Sequence, residues 1–169
     1  KKIHFIGLMS DGGVHSHIDH LIELLKIAKD KGLKKLYIHG FTDGRDVDPK
    51  SANKYINYIE PVLKKTGAKI STIIGRYYAM DRDQRWERTE KAYNLLLKNQ
   101  GTITKNISKE ITTNYKKGIT DEFMPPIVNT ENNLPISKIE KNDVIIFFNF
   151  RTDRGRQLTE SFTNNDFNH

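Results

Sequence analysis

The sequence has no cysteine and no long hydrophobic run. Without cysteine it can form no disulfide framework, no thiolate metal site and no cysteine nucleophile. Its longest apolar run, residues 144–148, is far shorter than the roughly 20 residues that cross a bilayer. No signal-peptide pattern precedes the first strand-like segment. We therefore expect a cytoplasmic chain that makes no contact with a membrane.

Acidic residues are outnumbered, with 21 Asp and Glu against 28 Lys and Arg and a formal net charge of +7. This surplus favours anionic partners, either nucleic acid or small acidic molecules. The 169 residues suit one ordinary domain with a substantial core. The first residue is not methionine, which is compatible with an excised piece of a longer chain.

Apolar periodicity predicts alternating strands and helices. Strands are expected at residues 3–9, 36–41, 69–75 and 143–150, and helices at 16–31, 48–67, 81–98, 107–118 and from about 153. Ser16 and Asp19 resemble a capping box, and Pro61 is expected to kink or shorten the second helix. Residues 119–142 predict an irregular or hairpin-like connection. The pattern predicts a three-layer α/β/α domain over residues 1–169, with a mainly parallel sheet and helices on both faces.

Polar residues follow each of the four predicted strands, at residues 10–17, 43–46, 76–83 and 151–154. In open parallel sheets, ligands bind outside the carboxyl ends of the strands. Lysine outnumbers arginine in the chain, yet arginine is the cation at these strand ends. Guanidinium groups match carboxylates and phosphates bidentately. We expect five of them to converge on one small acid: Arg45, Arg76, Arg82, Arg151 and Arg154. Arg85 and Arg88 are expected on a solvated helix face.

The histidines allow two interpretations. His15 and His17, with acidic neighbours such as Asp11, could bind a metal ion in a self-contained hydrolase. However, the pair straddles the predicted start of a helix, where the two rings would diverge. His15 lies beside two glycines and a helix N-terminus, which favours a contact to a phosphate. His4 and His39 lie within strands and are expected to be packed core or edge residues.

The sequence lacks the fingerprints of dinucleotide binding, of P-loop nucleotide binding and of the α/β-hydrolase nucleophile elbow. Ser10 and Ser16 have no base that the sequence places next to them. The pattern therefore indicates an anion clamp without the group that performs a covalent step.

Five stretches together resemble the cofactor-independent phosphoglycerate mutases, which are two-domain enzymes related to the alkaline-phosphatase superfamily. They are SDGGVHSH (10–17), YIHGFTDGRDV (37–47), GRYYAMDRD (75–83, followed by Arg85 and Trp86), YKKGITDEF (115–123) and FNFRTDR (148–154). Thr152 and Gly155 depart from the proline and alanine that the family usually has there, and neither departure removes a charged contact.

The resemblance implies that this chain is most of the inserted phosphotransferase domain, which holds the glycerate substrate. The family interconverts 3-phosphoglycerate and 2-phosphoglycerate in glycolysis through a phosphoserine. Its serine and its two divalent metal ions, Mn or Mg, belong to a phosphatase-like domain that has no counterpart here. The resemblance assigns the substrate contacts to His15, Arg45, Asp46, Arg76, Arg82, Arg151 and Arg154. Asp46 would be the acid/base for the glycerate hydroxyl, and His15 would support the phosphoryl group.

Two other functions remain open. The metal hydrolase built on His15 and His17 would carry a stoichiometric metal ion. A nucleic-acid-binding module would show a basic stripe with interleaved aromatic residues. Here Tyr77 and Tyr78 form the only aromatic pair near the arginines, and lysine is dispersed. We therefore expect no nucleic-acid partner, no metal site in this chain, and no turnover by the chain alone.

Overall fold

The computed structural model describes residues 1–164. Seven strands are formed, β1 (Ile3–Leu8), β2 (Leu36–Thr42), β3 (Lys69–Gly75), β4 (Thr102–Thr104), β5 (Ile127–Glu131), β6 (Leu134–Pro135) and β7 (Val144–Phe147). Six α-helices are formed, α1 (Ile18–Asp30), α2 (Ala52–Thr66), α3 (Arg76–Ala79), α4 (Trp86–Lys98), α5 (Ile107–Lys116) and α6 (Arg156–Thr163). A short 3₁₀ helix covers Asp121–Phe123. No helix within this part of the chain is both long and apolar enough to cross a membrane.

The sheet is mainly parallel, as the sequence predicts. The strand order is β4-β5-β3-β2-β1-β7, with β6 paired to β5. Strands β7, β1, β2 and β3 run parallel, whereas β5 pairs antiparallel to β3. Sequence periodicity missed β4, which has three residues and a largely exposed face. It also missed β5, although β5 and β6 do form the hairpin expected between residues 119 and 142.

Helices cover both faces of the sheet, which confirms the three-layer prediction. Helices α1, α2 and α5 enclose one core with Phe5 and Ile38, and helices α4 and α6 enclose the other with Ile6 and Phe41. Neighbouring residues of a strand point to opposite faces, so Phe5 and Ile6 enter different cores. Each buried leucine or isoleucine contributes about 1.5–3 kcal/mol by leaving water.

The helix ends differ from the sequence-based bounds. Helix α1 begins at Ile18, and its cap is His17, whose Nδ1 accepts the backbone N–H of Asp19 at 3.3 Å. The expected capping box is wrong because the Ser16 hydroxyl donates to the carbonyl of Leu8 instead, at 2.5 Å. Helix α2 runs through Pro61 to Thr66, so Pro61 does not end the helix early, and the alternative of a kink stays a prediction.

Two helices begin later and one strand ends earlier than the sequence predicts, so the loops at the carboxyl edge of the sheet are longer than expected. Helix α4 begins at Trp86 rather than near residue 81, and α6 begins at Arg156 rather than near residue 153. Strand β7 ends at Phe147, three residues earlier than predicted. In each case residues expected within a helix or strand lie in a loop instead.

A chain of side-chain hydrogen bonds runs across the three strands β3, β2 and β1 to Asp143, the residue before β7. His4 Nδ1 lies 2.8 Å from His39 Nε2, and His39 Nδ1 lies 2.8 Å from the hydroxyl of Thr72. At the other end, His4 Nε2 lies 3.2 Å from the carboxylate of Asp143. His4 and His39 are fully buried, as expected for packed core residues. Burial lowers the pKa of His4 and holds the pKa of His39 well below its usual value.

Candidate functional site

A cavity of about 510 Å³ opens where the loops after β2, β3 and β7 meet. Its volume is in the range typical of small-molecule sites. Its wall combines guanidinium groups with the aromatic side chains of Tyr77 and Phe123. The six arginines that line it are Arg45, Arg76, Arg82, Arg85, Arg88 and Arg154. Four of the five arginines that the sequence singles out therefore share one cavity.

The turn after β2 carries Arg45 and Asp46. The carboxylate of Asp43 accepts the backbone N–H groups of both residues, at 3.1 and 3.0 Å. Gly44 has a φ of +68°, and a Cβ on it would lie 2.8 Å from the backbone nitrogen of Glu122. Only glycine fits this conformation at this spacing. The tight turn directs Arg45 toward Glu122, whose carboxylate lies 3.3 Å away.

Arg76 is buried between two carboxylates at the end of β3. Its Nη1 donates to Asp43 at 2.8 Å and to Asp46 at 2.6 Å, and its side chain is 5% exposed. Burial opposes ionisation of Asp43, but the backbone of Asp46, the Ser10 hydroxyl and Arg76 together lower its pKa. Burial also opposes the charge on Arg76, yet the two carboxylates raise its pKa. Asp43 and Arg76 are therefore both ionised, and Arg76, which lines the cavity, also holds the carboxylate of Asp46, which does not line it.

His15 lies in the loop after β1, behind this ion pair. Its Nε2 is 4.0 Å from Asp46 Oδ2, and its Nδ1 is 3.9 Å from Asp153 Oδ1. Burial, followed by the charge of Arg76, lowers its pKa. The buried Nδ1 has no hydrogen-bond partner within residues 1–164. A neutral imidazole with an unused nitrogen is suited to contact a polar ligand group.

Asp153 joins two of the arginines that come from different strand ends. Its carboxylate lies 2.9 Å from Arg82 Nη1 and 2.9 Å from Arg151 Nε. Arg151 itself lines a neighbouring cavity of about 610 Å³, together with Phe147 and Arg156. Arg151 is thus linked to the site through Asp153 without lining the arginine-rich cavity, where the sequence interpretation had expected it.

Arg154 is the arginine of this cavity that has no carboxylate within ion-pair distance in the described chain. Its Nη1 donates to the carbonyl of Met80 at 3.3 Å, and its buried Nε has no partner among residues 1–164. Burial, followed by the nearby charges of Arg82, Arg76 and Arg45, lowers its pKa. An anion in the cavity would relieve this repulsion.

Sequence reasoning missed part of this wall. Arg88 was expected in solvent, but its side chain is only 19% exposed and it pairs with Asp81 at 3.4 Å. Its guanidinium also stacks over the ring of Tyr77, 3.8 Å from the centroid. Arg85 is half exposed and pairs with Asp83 at 3.1 Å. The sequence does contain a signal for this arrangement. Arg85 and Arg88 are three residues apart and follow closely after Asp81, which favours both side chains lying on the same helix face, near that carboxylate.

The two histidines of the hydrolase interpretation have different neighbours. His17 is partly exposed, and its Nδ1 accepts the N–H of Asp19, whereas His15 faces Asp46 and Asp153. Across residues 1–164, no group of three or more His, Asp or Glu side chains is arranged to hold a metal ion. The hydrolase interpretation therefore has no set of metal ligands in the described part of the chain.

The fold and the cavity define the class: an α/β domain with an arginine-lined cavity at the carboxyl edge of its sheet. Comparison with known sequences gives the family. The chain belongs to the family described as BPG-independent PGAM N-terminus, which matches residues 1–169. The resemblance seen in the sequence motifs is thereby confirmed.

Curated relatives carry the name 2,3-bisphosphoglycerate-independent phosphoglycerate mutase. The protein of Flavobacterium johnsoniae is 52% identical over 168 residues, 99% of this chain and 33% of the relative. The protein of Parabacteroides distasonis is 53% identical over 166 residues, 98% of this chain and 33% of the relative. A crystal structure of Leishmania mexicana phosphoglycerate mutase at low cobalt concentration matches with a TM-score of 0.95 and 31% identity, over 99% of this chain and 32% of that one. The chain spans about a third of the length of the relatives it matches.

Proposed function

We propose that the chain is the substrate-binding part of a phosphoglycerate mutase that interconverts 3-phosphoglycerate and 2-phosphoglycerate in glycolysis. The names of its curated relatives support this reaction, and so does a cavity lined by guanidinium groups. Phosphoglycerate carries a carboxylate and a phosphoryl group, and each can accept charge-assisted hydrogen bonds from arginine. The main support comes from Arg154, which is half-buried near other arginines, has a buried Nε without a hydrogen-bond partner, and has no carboxylate within ion-pair distance in the described chain.

We assign complementary roles to the residues around the cavity. Arg45, Arg76, Arg82 and Arg154 would hold the anionic groups of the substrate, and Arg151 would assist from the neighbouring cavity. Asp46 would exchange the proton of the glycerate hydroxyl, since Arg76 engages its Oδ2 and its Oδ1 has no hydrogen-bond partner in residues 1–164. His15 would contact the phosphoryl group through a nitrogen that the fold leaves unpaired.

The rest of the reaction belongs to the remaining two thirds of such a protein. We propose that residues 1–169 are most of its phosphotransferase domain. A phosphatase-like domain of the same protein would supply the serine that carries the phosphoryl group and two divalent metal ions, Mn or Mg. The protein would act in the cytoplasm, without a nucleic-acid or membrane partner. On this account the chain alone binds phosphoglycerate without turning it over.

Thermal melting of the chain with 3-phosphoglycerate tests the proposal. A ligand that binds only the folded state stabilises it, by about 2.7 kcal/mol at a hundredfold excess over Kd. For a domain of this size that corresponds to a rise of roughly 5–10 °C. Arg154→Met is expected to remove most of the rise, because each charge-assisted hydrogen bond contributes about 1.5–3 kcal/mol.

Arg156→Met is the matched control for this measurement. Arg156 lies two residues further on and lines the other cavity. The control variant is expected to keep the full rise in melting temperature. A melting temperature that 3-phosphoglycerate leaves unchanged, or an equal loss in both variants, would contradict the proposal.

A further inference from the structure

Asp43 lies at the centre of the strand-end loops, yet it cannot reach a ligand. The residue is 2% exposed. Both of its carboxylate oxygens are occupied by partners within the chain. Oδ2 accepts the Ser10 hydroxyl at 2.6 Å, and Oδ1 accepts Arg76 Nη1 at 2.8 Å in addition to two backbone N–H groups. Any effect of Asp43 on a ligand must therefore pass through its neighbours.

These neighbours come from three different strands. Ser10 follows β1, Arg45 and Asp46 follow β2, and Arg76 begins the segment after β3. Since the loops have no regular backbone ladder between them, side-chain bonds must fix their relative positions. The carboxylate of Asp43 forms four such bonds, one to the β1 loop, two within its own turn and one to Arg76. A buried, fully bonded carboxylate of this kind is a rigid connector.

We propose that Asp43 is a positioning residue, which holds Arg45, Asp46 and Arg76 in the arrangement that phosphoglycerate binding requires. The inference rests on the proposed function of the cavity. Asp43 keeps the Arg45–Asp46 turn closed through their backbone N–H groups. It also anchors the Nη1 atom through which Arg76 holds Asp46. Ser10 contributes by orienting the second oxygen of Asp43.

The variant Asp43→Asn distinguishes a positioning role from a purely electrostatic one, because the two roles predict opposite changes in the Kd for 3-phosphoglycerate. The amide preserves the shape of the side chain and removes its negative charge. Removing a negative charge beside an anion site strengthens anion binding by Coulomb attraction. Loss of positioning weakens it instead, and we expect the Kd for 3-phosphoglycerate to rise about tenfold or more by isothermal titration calorimetry. A Kd that is unchanged or lower overturns the proposal.

Two control variants separate the alternatives further. Asp83→Asn neutralises an exposed carboxylate of the same cavity, whose ion-pair partner within residues 1–164 is Arg85, and is expected to leave Kd unchanged or lower it. Leu25→Ala removes a fully buried core side chain of α1, so it lowers the melting temperature without changing Kd. If the Asn variant does not fold, Ser10→Ala is expected to raise Kd in the same direction by a smaller factor. An unchanged Kd in that variant overturns the proposal as well.

Amide hydrogen exchange tests positioning without a ligand. In Asp43→Ala the N–H groups of Arg45 and Asp46 lose their acceptor, and their exchange is expected to accelerate about tenfold or more relative to amides of β1. If the parent chain binds no 3-phosphoglycerate, the proposed function fails, while this measurement still decides whether Asp43 orders the turn. Unchanged exchange at both amides overturns the positioning role.

Discussion

Arg76→Met is expected to lower the free energy of unfolding by about 3–5 kcal/mol, because it leaves the buried carboxylate of Asp43 and the partly buried carboxylate of Asp46 without their cation. Nη1 of Arg76 bonds both Asp43 and Asp46, and the side chains of the three residues are 5%, 1% and 14% exposed. Water cannot replace the missing charge at such depth. Urea unfolding monitored by circular dichroism measures the loss.

Two companion variants show whether the loss comes from burial. Arg85→Met removes an arginine whose side chain is 48% exposed and is expected to cost less than about 1 kcal/mol. In the background of Asp43→Asn, the Arg76→Met change is expected to cost less than it does in the parent chain, since one stranded charge is then absent. Equal losses in Arg85→Met and Arg76→Met would show that the pair is not effectively buried.

The second large effect is a loss of stability as the pH falls from 7 to 5. Burial lowers the pKa of His4 and of His39, and the two rings are too close for both to carry a positive charge. Both histidines therefore stay neutral in the folded state, while those of the unfolded chain become protonated below about pH 6.5. The stabilisation is complete above that pH and is lost as the pH falls toward the folded-state pKa. The slope is about 1.4 kcal/mol per pH unit for each histidine that remains neutral.

Unfolding free energies measured by urea at several pH values test this dependence. The double variant His4→Gln with His39→Gln keeps groups that donate and accept hydrogen bonds but do not titrate, so its slope is expected to be flatter. His20→Gln, which changes an exposed histidine, is expected to retain the parent slope. A double variant with the parent slope would contradict the assignment to the buried pair.

The central layer of the fold could be predicted from the sequence because its strands are apolar and its helices have clear periodicity. Strands β1, β2 and β3 are buried on both faces, so each appears as a mainly apolar run, interrupted by buried polar residues such as His4, His39 and Thr72. Strands β4 and β5 were missed because they are short and lie among residues that favour turns. Tertiary pairing with β3, rather than local propensity, makes β5 a strand.

The sequence predicts the position of the arginine-rich cavity, but it does not predict which carboxylate each arginine pairs with. The ends of parallel strands share one edge of the sheet, which brings Arg45, Arg76 and Arg154 to one cavity. Nothing in the sequence shows that Arg151 turns toward a second cavity, or that Asp153 bridges it to Arg82. Those details depend on side-chain directions in loops, where no periodicity applies.

We propose that guanidinium groups from separate strand ends bind one small acid. A crystal structure of the chain with 3-phosphoglycerate would show this binding. We expect the ligand in the cavity of about 510 Å³, with an anionic group within hydrogen-bond distance of Arg154 and of at least one of Arg45, Arg76 and Arg82. A ligand bound beside Arg156, or on surface lysines with the arginine cavity empty, would contradict this proposal.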